Sequence, residues 1–140
     1  MPSRLPPQVR TKLAPIRLLV LDVDGVLTDG SLHYAADGEQ LKTFNVRDGL
    51  GMALLRRGGI EIAIITARSS DAVAVRCRDL GIRDEFVVRG ARDKAAALNE
   101  LLAALDLDGV EIAAMGDDLP DLPMLHQAGF AFCPADAAPE

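Results

Sequence analysis

Tryptophan is absent from the chain, and aromatic residues make up only 4% of its 140 positions. The core must therefore be built from Ala, Val, Leu and Ile. Positive charge is also in short supply: 15 Lys and Arg stand against 21 Asp and Glu, for a formal net charge of -6. A duplex-DNA binder needs a basic stripe to displace counterions, so nucleic acid is excluded as a partner. Cysteine is limited to Cys77 and Cys133, neither in a CxxC pair. That pattern argues against a zinc knuckle, a redox motif or a disulfide scaffold, and it fits two reduced thiols in a cytoplasmic protein. Long apolar runs are missing as well. The longest strictly apolar stretch is the five residues Leu101–Leu105, far below the roughly 18 residues of a membrane span. Residues Met1–Pro15 carry Arg4, Arg10 and Lys12 and three prolines among the first seven positions, with no apolar segment. They do not read as a secretory signal and are expected to form a flexible leader.

What is present is an ordinary globular composition, 49% apolar and 26% charged. Its length implies one domain, expected over residues 16–140. Ile16–Val23 is short, apolar and β-branched, the pattern of a buried parallel strand. Ser31–Tyr34 and Gln40–Val46 flank an Asp37-Gly38 turn and predict a β-hairpin. Further strands are expected at Ile60–Thr66, Glu85–Val88, Val110–Met115 and Gly129–Phe132. Between them lie helical patterns. One opens at Arg47-Asp48-Gly49 with Leu50, Leu54 and Leu55 on its apolar face, one is capped by Ser69 or Ser70, and two more span Ala91–Leu107 and Leu119–Ala128. Alternating strands and helices define an α/β class with a mainly parallel sheet in a Rossmann-like, three-layer arrangement. The hairpin after the first strand is an insertion of about residues 31–46, too short to be a separate cap domain.

In open α/β sheets, ligands bind outside the carboxyl ends of the strands. The first strand delivers Asp22 and Asp24 there, the second Thr66 and then Arg68, and the fourth Asp117, Asp118 and Asp121. Lys94 lies near the start of the helix after the third strand. Carboxylates gathered this closely repel one another, and their pKa values rise unless a cation joins them. Oxygen ligands of this kind suit Mg²⁺, which lets an anionic carboxylate meet an anionic phosphate. A carboxylate nucleophile gives an aspartyl-phosphate, and a second carboxylate can protonate the leaving oxygen and later deprotonate water. Thr66 and Lys94 can hold the phosphoryl oxygens.

The segments Asp22-Val23-Asp24-Gly25-Val26-Leu27-Thr28, Thr66, Lys94 and Gly116-Asp117-Asp118-Leu119-Pro120-Asp121, in that order, resemble the haloacid dehalogenase-like phosphatase superfamily. Asp22–Gly30, the hairpin, Phe44–Gly49, Ile64–Arg68 and Gly116–Leu119 are similar to its 3-deoxy-D-manno-octulosonate 8-phosphate phosphatase subfamily. The resemblance implies Asp22 as nucleophile and Asp24 as acid and base. It implies Mg²⁺ held by Asp22, the Asp24 carbonyl and Asp117, with Thr66 and Lys94 on the phosphoryl group. Asp121 is expected to orient Lys94, and Asp118 to support the metal through water. Arg47 or Arg68 is expected to hold the carboxylate of a small sugar-acid phosphate. Related members acting on nine-carbon acids, and a non-catalytic binding module on the same fold, are the alternatives. The family motif Thr-Gly-Arg is here Thr66-Ala67-Arg68. Its members also continue beyond the point matching Glu140 into a Gly-rich tail, which is expected to be absent. A homotetramer is expected, because the hairpin's Leu32, Tyr34, Leu41, Phe44 and Val46 need a surface to cover them. The implied setting is lipopolysaccharide synthesis in the cytoplasm.

Overall fold

The computed structural model describes residues 5–38 and 40–139. Five parallel strands form its sheet: β1 (Leu18–Leu21), β4 (Glu61–Thr66), β5 (Val87–Arg89), β6 (Ile112–Met115) and β7 (Phe130–Phe132), in the order β5-β4-β1-β6-β7. The hairpin strands β2 (His33–Tyr34) and β3 (Gln40–Leu41) pair separately and antiparallel. Five helices complete the described fold: α1 (Pro7–Leu13), α2 (Val46–Arg57), α3 (Asp71–Asp79), α4 (Lys94–Leu105) and α5 (Leu122–Gln127). The expected α/β class with its parallel sheet and inserted hairpin is what the structure contains.

β1 is flanked on both sides, with Leu21 in register with Ile64 of β4 and Met115 of β6. A strand enclosed by neighbours and covered on both faces must be apolar throughout. Leu18 and Val20 are accordingly fully buried, as are Ile62–Ile65 of β4. From β1 the chain moves outward to β4 and β5, then crosses back to β6 and β7. Right-handed crossovers put α2 and α3 on one face and α4 and α5 on the other, and α4 and α5 pack together. The reversal of direction opens a crevice at the carboxyl ends of β1 and β6, where this architecture binds ligands.

Several boundaries differ from the sequence reading, each for a local reason. The N-terminal stretch read as a flexible leader carries α1, which starts at Pro7 and buries none of its residues. A proline at the first helical position is pre-organised for the helix. The hairpin strands are only two residues long, and Val46 belongs to α2. Asn45 caps that helix, its Oδ1 accepting from the Arg47 N–H at 2.9 Å. Asp93 similarly starts α4 three residues later than expected, its Oδ1 accepting from the Ala96 N–H at 2.9 Å. The helix expected from Leu119 begins as a 3₁₀ turn, Leu119–Asp121, before α5.

The largest correction concerns the buried face of α2. Leu50 and Leu54, expected inside, are 63% and 56% exposed, while Gly49 and Met52 are buried. Gly49 fixes this rotation. A Cβ there would come within 2.9 Å of both Arg76 Nη2 and Leu80 Cδ2, so the helix turns its bare glycine toward α3. Phe44, expected to meet a partner, instead packs against this chain's own core, and the Arg76 guanidinium stands 5.7 Å from its ring.

Candidate active site

The β1–β6 ladder runs one residue past β1, with the Asp22 N–H donating to the Met115 carbonyl at 3.1 Å. This holds Asp22 at the sheet's carboxyl edge. The chain then hooks sharply, and the N–H groups of Leu27 and Thr28 donate to the Val23 carbonyl at 2.8 and 3.1 Å. Gly25 takes φ +90°, and a Cβ there would lie 1.9 Å from Asp117 Oδ2. The glycine after Asp24 thus lets the β6 carboxylate move in beside β1.

Asp22, Asp117 and Asp121 each bring a carboxylate oxygen within 4.8 Å of the others. Lys94, in the first turn of α4, lies between two of them. Its Nζ is 2.8 Å from Asp22 Oδ1 and also donates to Asp121 Oδ1. The other Asp121 oxygen accepts from the Asp117 and Asp118 N–H groups at 2.9 and 3.3 Å. Both Asp121 oxygens are therefore engaged within the protein, and it anchors Lys94 and the loop after β6. Asp22 and Asp117 are left with oxygens for a ligand. Three carboxylates against one ammonium leave two formal negative charges, with Asp22, Lys94 and Asp121 buried and Asp117 half-buried.

The electrostatics follow from that imbalance. Burial pushes Asp22 up to about 6 even though Lys94 opposes it, and the neighbouring Asp121 adds to the rise. Asp117 is raised by burial and then by Asp121 and Asp118. Burial disfavours the Lys94 ammonium, but its bonds to Asp121 and Asp22 outweigh this and hold it above the ordinary lysine value. A divalent cation between Asp22 and Asp117 would relieve the excess charge, so the donor set fits a hard metal ion.

A second group lies beside the first. The Asp24 carboxylate is ion-paired to Lys42 through Oδ1, and Arg68 Nε stands 3.7 Å from Oδ2. Arg68 Nη1 also donates to the Tyr34 hydroxyl of β2 at 3.2 Å. Thr66 ends β4, buried, and its Oγ1 accepts from the Arg68 N–H at 3.4 Å. The structure thus gathers Asp22, Asp117, Asp121 and Lys94 into one cluster, and Asp24, Arg68 and Thr66 into an adjoining chain. Asp118 is exposed and caps the 3₁₀ turn, its Oδ1 accepting from the Leu119 N–H at 2.7 Å. Arg47 is exposed in the first turn of α2, with no bond to the cluster among the described residues.

Lys42 was not singled out from the sequence. A signal for it exists: in an extended chain Gln40, Lys42 and Phe44 share a side. A lysine turned inward with Phe44 is favoured by a nearby carboxylate, and Asp24 at the tip of β1 supplies one.

Residues 45–129 match the family model for haloacid dehalogenase-like hydrolases. The 3-deoxy-D-manno-octulosonate 8-phosphate phosphatase KdsC of Salmonella typhimurium is 44% identical over 133 residues, covering 95% of this chain and 70% of that protein. Among solved structures, the 3-deoxy-D-manno-octulosonate 8-phosphate phosphatase of Yersinia pestis superposes with a TM-score of 0.90 at 43% identity, covering 95% of this chain and 71% of that one. The Moraxella catarrhalis phosphatase of the same name, solved with magnesium, phosphate and KDO, gives a TM-score of 0.89 at 39% identity, with coverage of 94% and 75%. Sequence, fold and strand-end chemistry thus agree. The chain belongs to the haloacid dehalogenase-like hydrolases, in the branch that holds the 3-deoxy-D-manno-octulosonate 8-phosphate phosphatases.

Proposed function

We propose that this chain is a Mg²⁺-dependent phosphomonoesterase that converts 3-deoxy-D-manno-octulosonate 8-phosphate to the free sugar acid and phosphate. The observation that carries the reading is the cluster of Asp22, Asp117 and Asp121 around a single ammonium, which leaves two negative charges at the carboxyl edge of the sheet. Asp22, Asp117 and the backbone carbonyl of Asp24 would hold Mg²⁺. The ion would supply neutralisation of the charge on the phosphoryl oxygens and the carboxylates.

The chain's own residues perform the transfer. An Asp22 oxygen forms a bond to phosphorus while the ester P–O bond breaks, and the electron pair stays on the sugar oxygen. Asp24, protonated, gives that oxygen its proton. Water then attacks the phosphorus of the aspartyl-phosphate, Asp24 takes the water's proton, and the Asp22 carboxylate leaves. Lys94 and the Thr66 hydroxyl bind phosphoryl oxygens as charge moves onto them. Arg47 or Arg68 would take the substrate carboxylate through its planar fork.

The assembly we propose is a homotetramer. Leu32, Tyr34 and Leu41 of the hairpin region are 42%, 60% and 62% exposed, and Val46, Leu50 and Leu54 are 80%, 63% and 56% exposed at four-residue spacing on α2. A second copy would cover these exposed apolar side chains. The proposed setting is cytoplasmic. Both cysteines are free thiols, and among the described residues no helix is long and apolar enough to cross a membrane.

A panel of sugar phosphates ranked by kcat/KM, with and without EDTA, tests the reading. The expected result is Mg²⁺-dependent release of phosphate, with the eight-carbon keto-sugar acid phosphate ranked first. A higher rank for a neutral hexose phosphate would contradict the substrate. Full turnover in EDTA would contradict the metal.

A further inference from the structure

The chain has three lysines, Lys12, Lys42 and Lys94. The Lys42 side chain is only 2% exposed, less than the 5% of Lys94. Lys94 is explained by the cluster around Asp22. Lys42 needs a separate account, because a buried ammonium without a partner is strongly unfavourable.

Its partner is Asp24. Lys42 follows directly on β3, and its ammonium bonds Asp24 Oδ1. Across the same carboxylate, Arg68 approaches Oδ2 and is itself bonded to Tyr34 of β2. Among the described residues, the Asp24 carboxylate has no other hydrogen bond or ion pair. Asp24 stands at the start of the hook after β1, next to a glycine of positive φ. Nothing in the sheet fixes its side chain. Two cations on two different oxygens do, one supplied just after β3 and the other bonded to Tyr34 of β2.

We propose that Lys42 is a positioning residue that holds the Asp24 carboxyl group at the leaving oxygen of the substrate. The inference rests on the acid and base role of Asp24 given above. In that step the Asp24 proton moves to the ester oxygen as the P–O bond breaks and the electron pair remains on oxygen. The hairpin then acts directly on the chemistry. It presents Lys42 just after β3 and steadies Arg68 through Tyr34 of β2.

The test compares leaving groups. kcat/KM reports on steps up to departure of the leaving group. A sugar alkoxide leaves poorly unless protonated, whereas nitrophenolate leaves without a proton. Lys42→Met should lower kcat/KM for the sugar phosphate on the order of 10²-fold, within the range of general acid catalysis. Its effect on para-nitrophenyl phosphate should be about tenfold smaller or less. Asp24→Asn should show the same split. Adding Lys42→Met to Asp24→Asn should cost nothing further, because a residue acting through Asp24 has nothing left to position. Lys42→Gln, which keeps a donor on a shorter arm, gives a second variant should the Met protein not fold, with the same split expected.

Equal losses on both substrates would overturn the inference and leave Lys42 as a support of the fold. A full further loss in the Asp24→Asn background would also overturn it, because Lys42 would then bind the sugar itself. Absence of a split in Asp24→Asn alone would contradict the acid and base reading, and the inference with it.

Discussion

The carboxylate cluster is set in the interior, while the hairpin beside it lies largely in solvent. Asp22, Lys94 and Asp121 are 5%, 6% and 1% exposed, whereas Tyr34 and Leu41 are 60% and 62% exposed. Their charges differ too. Asp22, Asp117, Asp121 and Lys94 carry a net negative charge, while Asp24 with Lys42 and Arg68 carries a net positive one. The cluster is held by the ends of β1 and β6 and the first turn of α4, which rest on the core. The second group is steadied by a hairpin whose two-residue strands, among the described residues, pair only with each other. The difference assigns different work to the two regions. In the proposed mechanism the nucleophile and metal ligands rest on the sheet, while Asp24, on the hook after β1, and Arg68, just after β4, are steadied by residues of the inserted hairpin.

The larger effect should come from the interior side. The folded pKa of Asp22, about 6, lies above its ordinary value of 3.8. Between those values the folded protein holds a proton that the unfolded chain has released. The resulting stabilisation is complete below about pH 4 and is lost as pH rises through 6. A shift of this size corresponds to about 3 kcal/mol as an upper bound, because the cluster titrates together. With divalent cations chelated, denaturant melts should show wild type losing stability relative to Asp22→Asn across that window. A constant difference between the two proteins from pH 4 to 7 would place the strain elsewhere.

A smaller effect is expected on the hairpin side. Leu50→Asp changes an exposed position, so the fold should lose at most about 0.5 kcal/mol. In the proposed tetramer the same carboxylate would be buried without a partner. Light scattering should therefore report smaller particles than wild type, with thermal stability of the subunit preserved and activity reduced. A wild-type protein that is monomeric and fully active would remove the assembly and leave the apolar stripe unexplained.

The contrast between the regions also explains what the sequence disclosed. Asp22 and Asp117 follow strands at short offsets and Thr66 ends one, and a strand's end is visible as a change from apolar to polar residues. Lys94 could be placed because α4 starts where its cap dictates, within a few residues of the reading. The rotation of α2 was not legible, since Leu50, Leu54 and Leu55 make as plausible a buried face as Gly49 and Met52. The close approach to Arg76 and Leu80 that decides it is a tertiary fact. Lys42 was hidden for a related reason. Its partner Asp24 is 18 residues away, across a turn whose path no periodicity reveals. Asp118 and Asp121 are neighbours in one motif, yet one is an exposed cap and the other a buried anchor. Only the fold of the 3₁₀ turn separates them.

The central claim is that Asp22 takes the phosphoryl group. Rapid acid quench of the Mg²⁺-loaded enzyme with phosphorus-labelled substrate, followed by peptide mapping, tests it most directly. The account predicts an acid-stable, base-labile phosphoryl group on the peptide containing Asp22, absent in Asp22→Asn along with turnover. Label on a different residue, or near wild-type turnover in Asp22→Asn, would contradict it.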